Sequence, residues 1–291
     1  MAINVKILAD SVAPNGARLT TFELSYPRFI HSEIMTHRML SRNSASSRAI
    51  PTEKLIQRVI DDPVVPTYIG KNQKGMAPGE ELTDSERAEA VEGWLHARDF
   101  AVKQARYLLS LGVHKGVVNR LVEPWMWITV IVSATEWDNF FALRDHEMAE
   151  PHFQDLARKM RAAMAESKPR HLDRDDWHLP MIGEEDVPLF DAYEKDIGQG
   201  ALYNDAGRQS VLAKVAVGRC ARVSYLTHAG KRDLKEDIAL HDKLIVQRPL
   251  HASPAEHVAQ AQGMTATWSG NFFGFTQYRK TVPHENVGRA P

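Results

Sequence analysis

One cysteine, Cys220, in 291 residues leaves nothing to build an intrachain disulfide framework or a cysteine-rich zinc site, and fits a reducing compartment. Neither charge dominates. The 36 lysines and arginines against 37 acids leave a formal charge of −1, without the basic footprint of a duplex-binding protein, so no long nucleic acid is expected as partner. No apolar run approaches the ~20 residues that cross a bilayer. The opening MAINVKILADSV lacks the basic start and long apolar core of a secretory signal. A cytoplasmic protein without a membrane partner is expected. Also missing are GxGxxG, GxxxxGK and GxSxG, which disfavours the dinucleotide, phosphate-loop and hydrolase folds that carry them. The 13 histidines give no HExxH. His31 and His37, like His251 and His257, are six apart, which does not set two ligands on one helical face, and HASPAEH fails HxxEH because Ser253 stands where a histidine is needed. No metal site is expected.

What is present suffices for one large core. With 43% hydrophobic residues, the chain is read as a single unit over 1–291. Val5, Ile7, Leu19, Thr21 and the alternating Phe22, Leu24 and Tyr26 predict two strands joined at Pro14-Asn15-Gly16. A short helix is predicted over Pro51 to Asp62, then a glycine-rich surface loop to about Glu86. Thr83 with Glu86 spells a capping box, and Ala90, Trp94, Ala97, Ala101, Ala105 and Leu108 recur at helical spacing as far as Gly112, as in a packing helix. A helical region over Lys115 to Arg144, interrupted at Pro124, is expected next; its WMWITVIVSATEW portion is apolar on every side, as in a helix buried between neighbours. Further helices are expected over Pro151 to Glu166, Ser210 to Tyr225 and Leu234 to Val246, with an irregular connection over about 168–209.

Against that background THRMLSRNSASSRAIP, Thr36 to Pro51, carries far more hydrogen-bonding capacity than a connection needs. Arginine's planar fork suits phosphate, and serine hydroxyls with loop amides can complete an anion cradle, so a phosphorylated ligand is the simplest functional reading. A solvated loop with helix caps is the structural alternative.

The motif HRMLSRNSASSR resembles the signature of flavin-dependent thymidylate synthases: the pair His37-Arg38, then Ser46 after seven residues and Arg48 two further on. GVHKGVVNRLVEP, with Arg120 and Pro124, VSATEWDNFFALR, with Asn139 and Arg144, and AEPHFQDLA are similar to further family segments, as are ARVSY (Ala221 to Tyr225) and HASPAEH. In the usual order the last two precede the HR signature, whereas here they follow it, which suggests circular permutation over a segment of about 210–291. A partial duplication competes, because NFFGFTQYRK faintly resembles the entry to the HR signature, with Gln277 and Arg279 as supplements.

The resemblance implies an α+β fold, a central mixed or antiparallel sheet with long flanking helices, and a homotetramer with shared sites. It implies transfer of a one-carbon unit from 5,10-methylenetetrahydrofolate to C5 of dUMP with FAD and NADPH, or a related dUMP or dCMP hydroxymethylase or methylase. A noncatalytic nucleotide- or flavin-binding homologue is the second alternative. Residue by residue, Arg144 falls to catalysis, holding the base as an anion; Arg38, Ser46, Arg48, Arg120 and Arg144 fall to the nucleotide; His37, Arg38, Asn43, Asn139 and Ser253 fall to FAD. Departures from the family pattern stand at Glu33 for glutamine, Thr36 for arginine, Ser44 for an acid, Ala49 for tyrosine and Thr135 for arginine. They put the identity of the base in question.

Overall fold

The computed structural model describes residues 2–197, 205–225, 232–246 and 250–286. Strands β1 (Asn4–Val12) and β2 (Arg18–Pro27) form the expected hairpin, from Asn4↔Ser25 to Val12↔Arg18. Its turn works because Gly16 takes φ +84° and the Asn15 side chain accepts from the Ala17 amide at 2.9 Å. With β3 (Ser41–Ser44), β4 (Trp127–Ala134) and β5 (Arg170–His171) they make a five-stranded sheet in the order β3-β4-β2-β1-β5. β5 runs parallel to β1 and the other pairs are antiparallel, so the sheet is mixed.

Four helical segments between β2 and β4 are α1 (His31–Ile34), α2 (Thr52–Asp61), α3 (Asp84–Ser110) and α4 (Lys115–Val118). The capping box of α3 is formed: the Thr83 hydroxyl accepts from the Glu86 amide and Glu86 Oε2 accepts from the Thr83 amide at 2.9 Å. Thr83→Ala is expected to lower the thermal unfolding midpoint by about 2 °C, measured by circular dichroism. α3 does act as a packing helix, with Val102 and Ala105 buried against Ile56, Val118 and Val122.

The helix expected through Trp125–Trp137 is not there. After a 3-10 segment, Asn119–Trp125, that absorbs Pro124, the chain enters β4, and only α5 (Asp138–Arg144) restores the helix. The reason is burial on two sides. Val132, Val130 and Ile128 pair with Phe22, Leu24 and Tyr26 to face Phe140 of α5 and Phe153 and Leu156 of α6 (Pro151–Glu166). On the opposite face Ile131 packs on Cys220 and Val223. A strand buried on both faces loses its alternation and reads as an all-apolar run.

The connection over 168–209 also holds more order than expected. β6 (Trp177–His178) joins β7 (Ala259–Ala261) and β10 (Phe275–Gln277) in a second sheet, β8 (Trp268–Ser269) pairs with β9 (Phe272–Phe273), and α7 (Val187–Ile197) seats Phe190 against Val215 and Leu234. Pro188 sits in the first turn of α7, where no amide partner is lost, so a proline there does not prevent the helix. Residues 198–204 lie outside the described residues.

The expected C-terminal helices are α8 (Asp205–Arg222), continued as 3-10 through Tyr225, and α9 (Leu234–His241), continued as a π-helical segment through Val246; α10 (Tyr278–Thr281) is short. α8 and α9 cross at Gly218, and Asp186 and Asp237, both buried, accept from Arg219 at 2.7–2.9 Å. The fold class is α+β: the sheet lies between α5 and α6 on one face and the α8 end with the HASPAEH segment on the other. Among the described residues no helix is long and apolar enough to cross a membrane.

Candidate functional site

α5 ends on Arg144, whose guanidinium lies 4.6 Å from the Phe153 ring centroid. Its Nε donates to His37 Nε2 at 2.8 Å, Nη2 reaches Thr36 Oγ1 at 3.5 Å and Nη1 reaches Glu33 Oε2 at 3.4 Å. An imidazole that accepts at Nε2 must be neutral. Burial, then the charges of Arg144 and Arg42, push His37 down to about 4. Its ring is edge-on to Phe140 and Phe153, at 5.0 and 6.0 Å. Burial and Glu150 raise the Glu33 carboxyl, and Arg144 counters them. The η nitrogens, held among the described residues only by contacts at the long limit, form the open edge of a half-buried cation.

Arg42 fixes the turn between this corner and β3, its Nη1 converging on the carbonyls of Ile34, Met35 and His37 at 2.9–3.2 Å. On β3, buried Asn43 donates to the Cys220 carbonyl at 2.6 Å and accepts from Ser224 at 3.1 Å and Ser253 at 3.3 Å. The Ser46 amide donates to the Ser224 carbonyl at 3.1 Å. ARVSY and HASPAEH therefore dock against the HR stretch within one chain. The tail closes over the same edge: Asn271 donates to the Met39 carbonyl, and Gln277 Nε2 contacts Ser41 Oγ, Asn271 Oδ1 and the Glu256 carbonyl at 3.1–3.2 Å. Arg279 is held by Glu256 and Glu285.

Beyond Ser46, Glu123 gathers Ser47 at 2.7 Å, Arg28 at 3.0 Å and Arg120 at 3.1 Å. Buried Asn119 donates to the carbonyls of Ser47 and Ile50 and accepts from Thr52, pinning the serine loop to the 3-10 segment. A cavity of about 460 Å³ opens here, with Ser46, Trp125 and Trp127 in its walls and Arg28 and Arg58 among its polar groups. None of His37, Asn139 or Arg144 lines it.

Behind the sheet runs a buried polar chain: Ser11 to His178 at 2.9 Å, His178 to Thr21 at 2.8 Å, Thr21 to Ser133 at 2.7 Å and Ser133 to His257 at 2.8 Å. With both rings neutral each link has one donor and one acceptor. Burial pushes both histidines down to about 3, and among the described residues His257 Nε2 has no partner.

The candidate residues thus fall into three groups along the stretch: His37 with Arg144; Asn43 with Ser253; and Ser46, whose neighbour Ser47 leads through Glu123 to Arg120. Arg38, Arg48 and Asn139 are exposed and join no group. Arg144 and Ser46 do not meet within the chain. Glu33 stands out in the sequence only as a departure from the family pattern, whereas Arg42, Asn119, Glu123 and the polar chain give no sequence signal, since their partners are distant. Cys220 is wholly buried and its thiol is pushed up to about 12, so its thiolate is scarce at neutral pH. Among the described residues no group of three histidines, cysteines or acids could hold a metal.

A family model described as thymidylate synthase complementing protein matches residues 18–170, more than half of the chain. The chain belongs to this family. The match covers the hairpin's second strand, the HR stretch, β4 and Arg144, and stops before ARVSY and HASPAEH. Solved structures similar to it include a UMP/dUMP methylase, PolB, from Streptomyces cacaoi bound with 5-Br UMP, 15% identical, covering 56% of this chain and 88% of that one with a TM-score of 0.47. Another is Thymidylate Synthase X from Helicobacter pylori with FAD and dUMP, 18% identical, covering 50% and 67% with a TM-score of 0.36. No curated protein sequence matches the chain.

Proposed function

We propose that the protein is a flavin-dependent enzyme that places a one-carbon unit on C5 of a pyrimidine deoxynucleotide, dUMP or dCMP, with methylenetetrahydrofolate as carbon donor and NADPH as reductant. The observation that carries this reading is Arg144: a fixed cation on a helix end, backed by Phe153 and steadied by a neutral His37, with its η nitrogens open. C5 is a poor nucleophile until electron density moves toward it. A guanidinium against N3 and O2 draws negative charge onto that edge and holds it there, and its own charge cannot be lost. Arg48, which is exposed, and Arg120 suit the phosphate.

The donor set fits FAD in part. Arg38 and Asn139 present exposed donors, and His37, next to Arg38, lies edge-on to Phe140, next to Asn139. The Asn43 side chain is engaged by Cys220, Ser224 and Ser253, so Asn43 and Ser253 support the floor of such a site from within. Bound FAD would supply the hydride. Because Arg144 and Ser46 stay apart in one chain, we place the complete site between copies of a homotetramer. The contact of Asn43 with Ser253 supports a circularly permuted single domain over 1–291 in which the C-terminal motifs serve their own chain.

The purified protein is expected to be yellow, and its reduced flavin to reoxidise when a pyrimidine nucleotide and the folate are added together. Mass spectrometry separates methyl from hydroxymethyl product. Arg144→Ala is expected to lower kcat by about 10²–10³-fold with FAD retained. Full turnover in that variant, or a colourless protein without product, would sink the reading.

A further inference from the structure

Arg144 does not stand alone at its open edge. Glu33 Oε2 lies 3.4 Å from Nη1, and among the described residues Arg144 is the only cation paired with it. The Glu33 side chain keeps 36% of its surface exposed, so the carboxylate is within reach of whatever the guanidinium holds. Thr36, the third member of the corner, turns its own hydrogen to the Glu33 carbonyl at 2.6 Å and offers only lone pairs outward. The corner therefore presents donors from Arg144 and, beside them, an ionised acceptor that has no hydrogen to give.

Pyrimidine rings differ at that edge. Uracil offers O4 as an acceptor, N3–H as a donor and O2 as an acceptor. Cytosine offers its N4 amino group as a donor, then N3 and O2 as acceptors. With Arg144 on N3 and O2, the N4 amino group of cytosine meets a carboxylate that accepts from it. In the same pose uracil sets O4 lone pairs against that carboxylate. A uracil deprotonated at N3 adds a second negative charge facing Glu33, and like charges so placed are repelled. Donation of an N4 hydrogen to the carboxylate also leaves more electron density for the ring to deliver to C5.

We propose that the nucleotide taken by this site is a cytosine deoxynucleotide, and that Glu33 is the residue that selects it over uracil. The proposal rests on Arg144 being the group that holds the base. Glu33 is a specificity-determining residue, which acts on the choice of base through the edge that Arg144 holds.

The test is isothermal titration calorimetry of the purified holoprotein with dCMP and, separately, dUMP, on wild type, Glu33→Gln and Glu33→Ala. Circular dichroism establishes that each variant is folded. Wild type is expected to bind dCMP about tenfold or more tighter than dUMP, the discrimination of one well-placed polar pair. Glu33→Gln, whose amide can turn an N–H toward O4, is expected to move the ratio toward dUMP by about 10–100-fold. Glu33→Ala is expected to bring it near one. Wild type binding dUMP as tightly as dCMP, or a ratio that neither variant moves, overturns the selection by Glu33 and leaves the nucleotide reading standing. Binding of neither nucleotide to folded wild type overturns both.

Discussion

Gly218→Ala is expected to destabilise the protein by on the order of 3 kcal/mol or more, and to loosen the floor of the candidate site with it. A Cβ built at this position lies 2.2 Å from the Asp237 carbonyl oxygen and 2.8 Å from its carbonyl carbon. Both atoms are backbone, so no rotamer change relieves the clash and α9 must retreat from α8. That retreat acts on buried charges. Arg219 donates to Asp237 at 2.9 Å and to Asp186 at 2.7 Å, and Arg222 donates to Asp237 at 2.6 Å, with both acids essentially inaccessible to water. Buried ion pairs add little to stability when intact, but separating them exposes the full cost of each uncompensated charge. The same short stretch carries the Cys220 carbonyl and Ser224 that hold Asn43. Urea unfolding followed by tryptophan fluorescence measures the loss, and flavin absorbance during gel filtration reports the site. A variant with the wild-type midpoint would mean that the helices cross less closely than this.

Legibility in the sequence followed how local each decision was. The β1–β2 hairpin and the α3 start are fixed by a few adjacent residues, Pro14-Asn15-Gly16 and Thr83 with Glu86, and both could be read directly. β4 could not be read by period, because α6 covers one face and the α8 end the other. Its run of β-branched residues, Ile128 to Val132, was the signal available and was outweighed by the apolar run on every side. At the site, the donor-rich stretch was visible as composition, but its division into three groups was not. Asn43 and Ser253 are 210 residues apart, and only the family resemblance linked them before the fold did. Glu33 is legible in the sequence as a departure that puts the base in question, but its partner Arg144, 111 residues away, is not.

Acid is expected to weaken the protein well before its carboxylates protonate. His178 and His257 are wholly buried and pushed down to about 3, against 6.5 in the unfolded chain. For His178 the neighbouring charges are Asp10, which opposes the shift, and Arg170 and His257, which add to it; for His257 burial alone is the cause. Between those pH values the unfolded chain binds protons that the native rings refuse, so stability rises with pH across the window. It is complete above about 6.5 and falls as the pH drops toward 3. His31 and His37, both held near 4 by burial and adjacent arginines, act in the same direction over a narrower range and, being partly exposed, more weakly. Glu33, whose carboxyl is raised, opposes them slightly, whereas Asp10 and Asp186, both lowered, contribute only at more acid pH. Urea titrations at pH 7, 6, 5 and 4 are expected to show a slope approaching about 2–3 kcal/mol per pH unit below 6, as two coupled protons require. A flat profile down to pH 4.5 would mean that water reaches these rings. Ser133 on β4 and Asn43 on β3 tie the HASPAEH segment to the sheet through His257 and Ser253, so the ring takes up its proton only as that segment leaves the sheet, and flavin loss is expected to follow the same pH curve as unfolding.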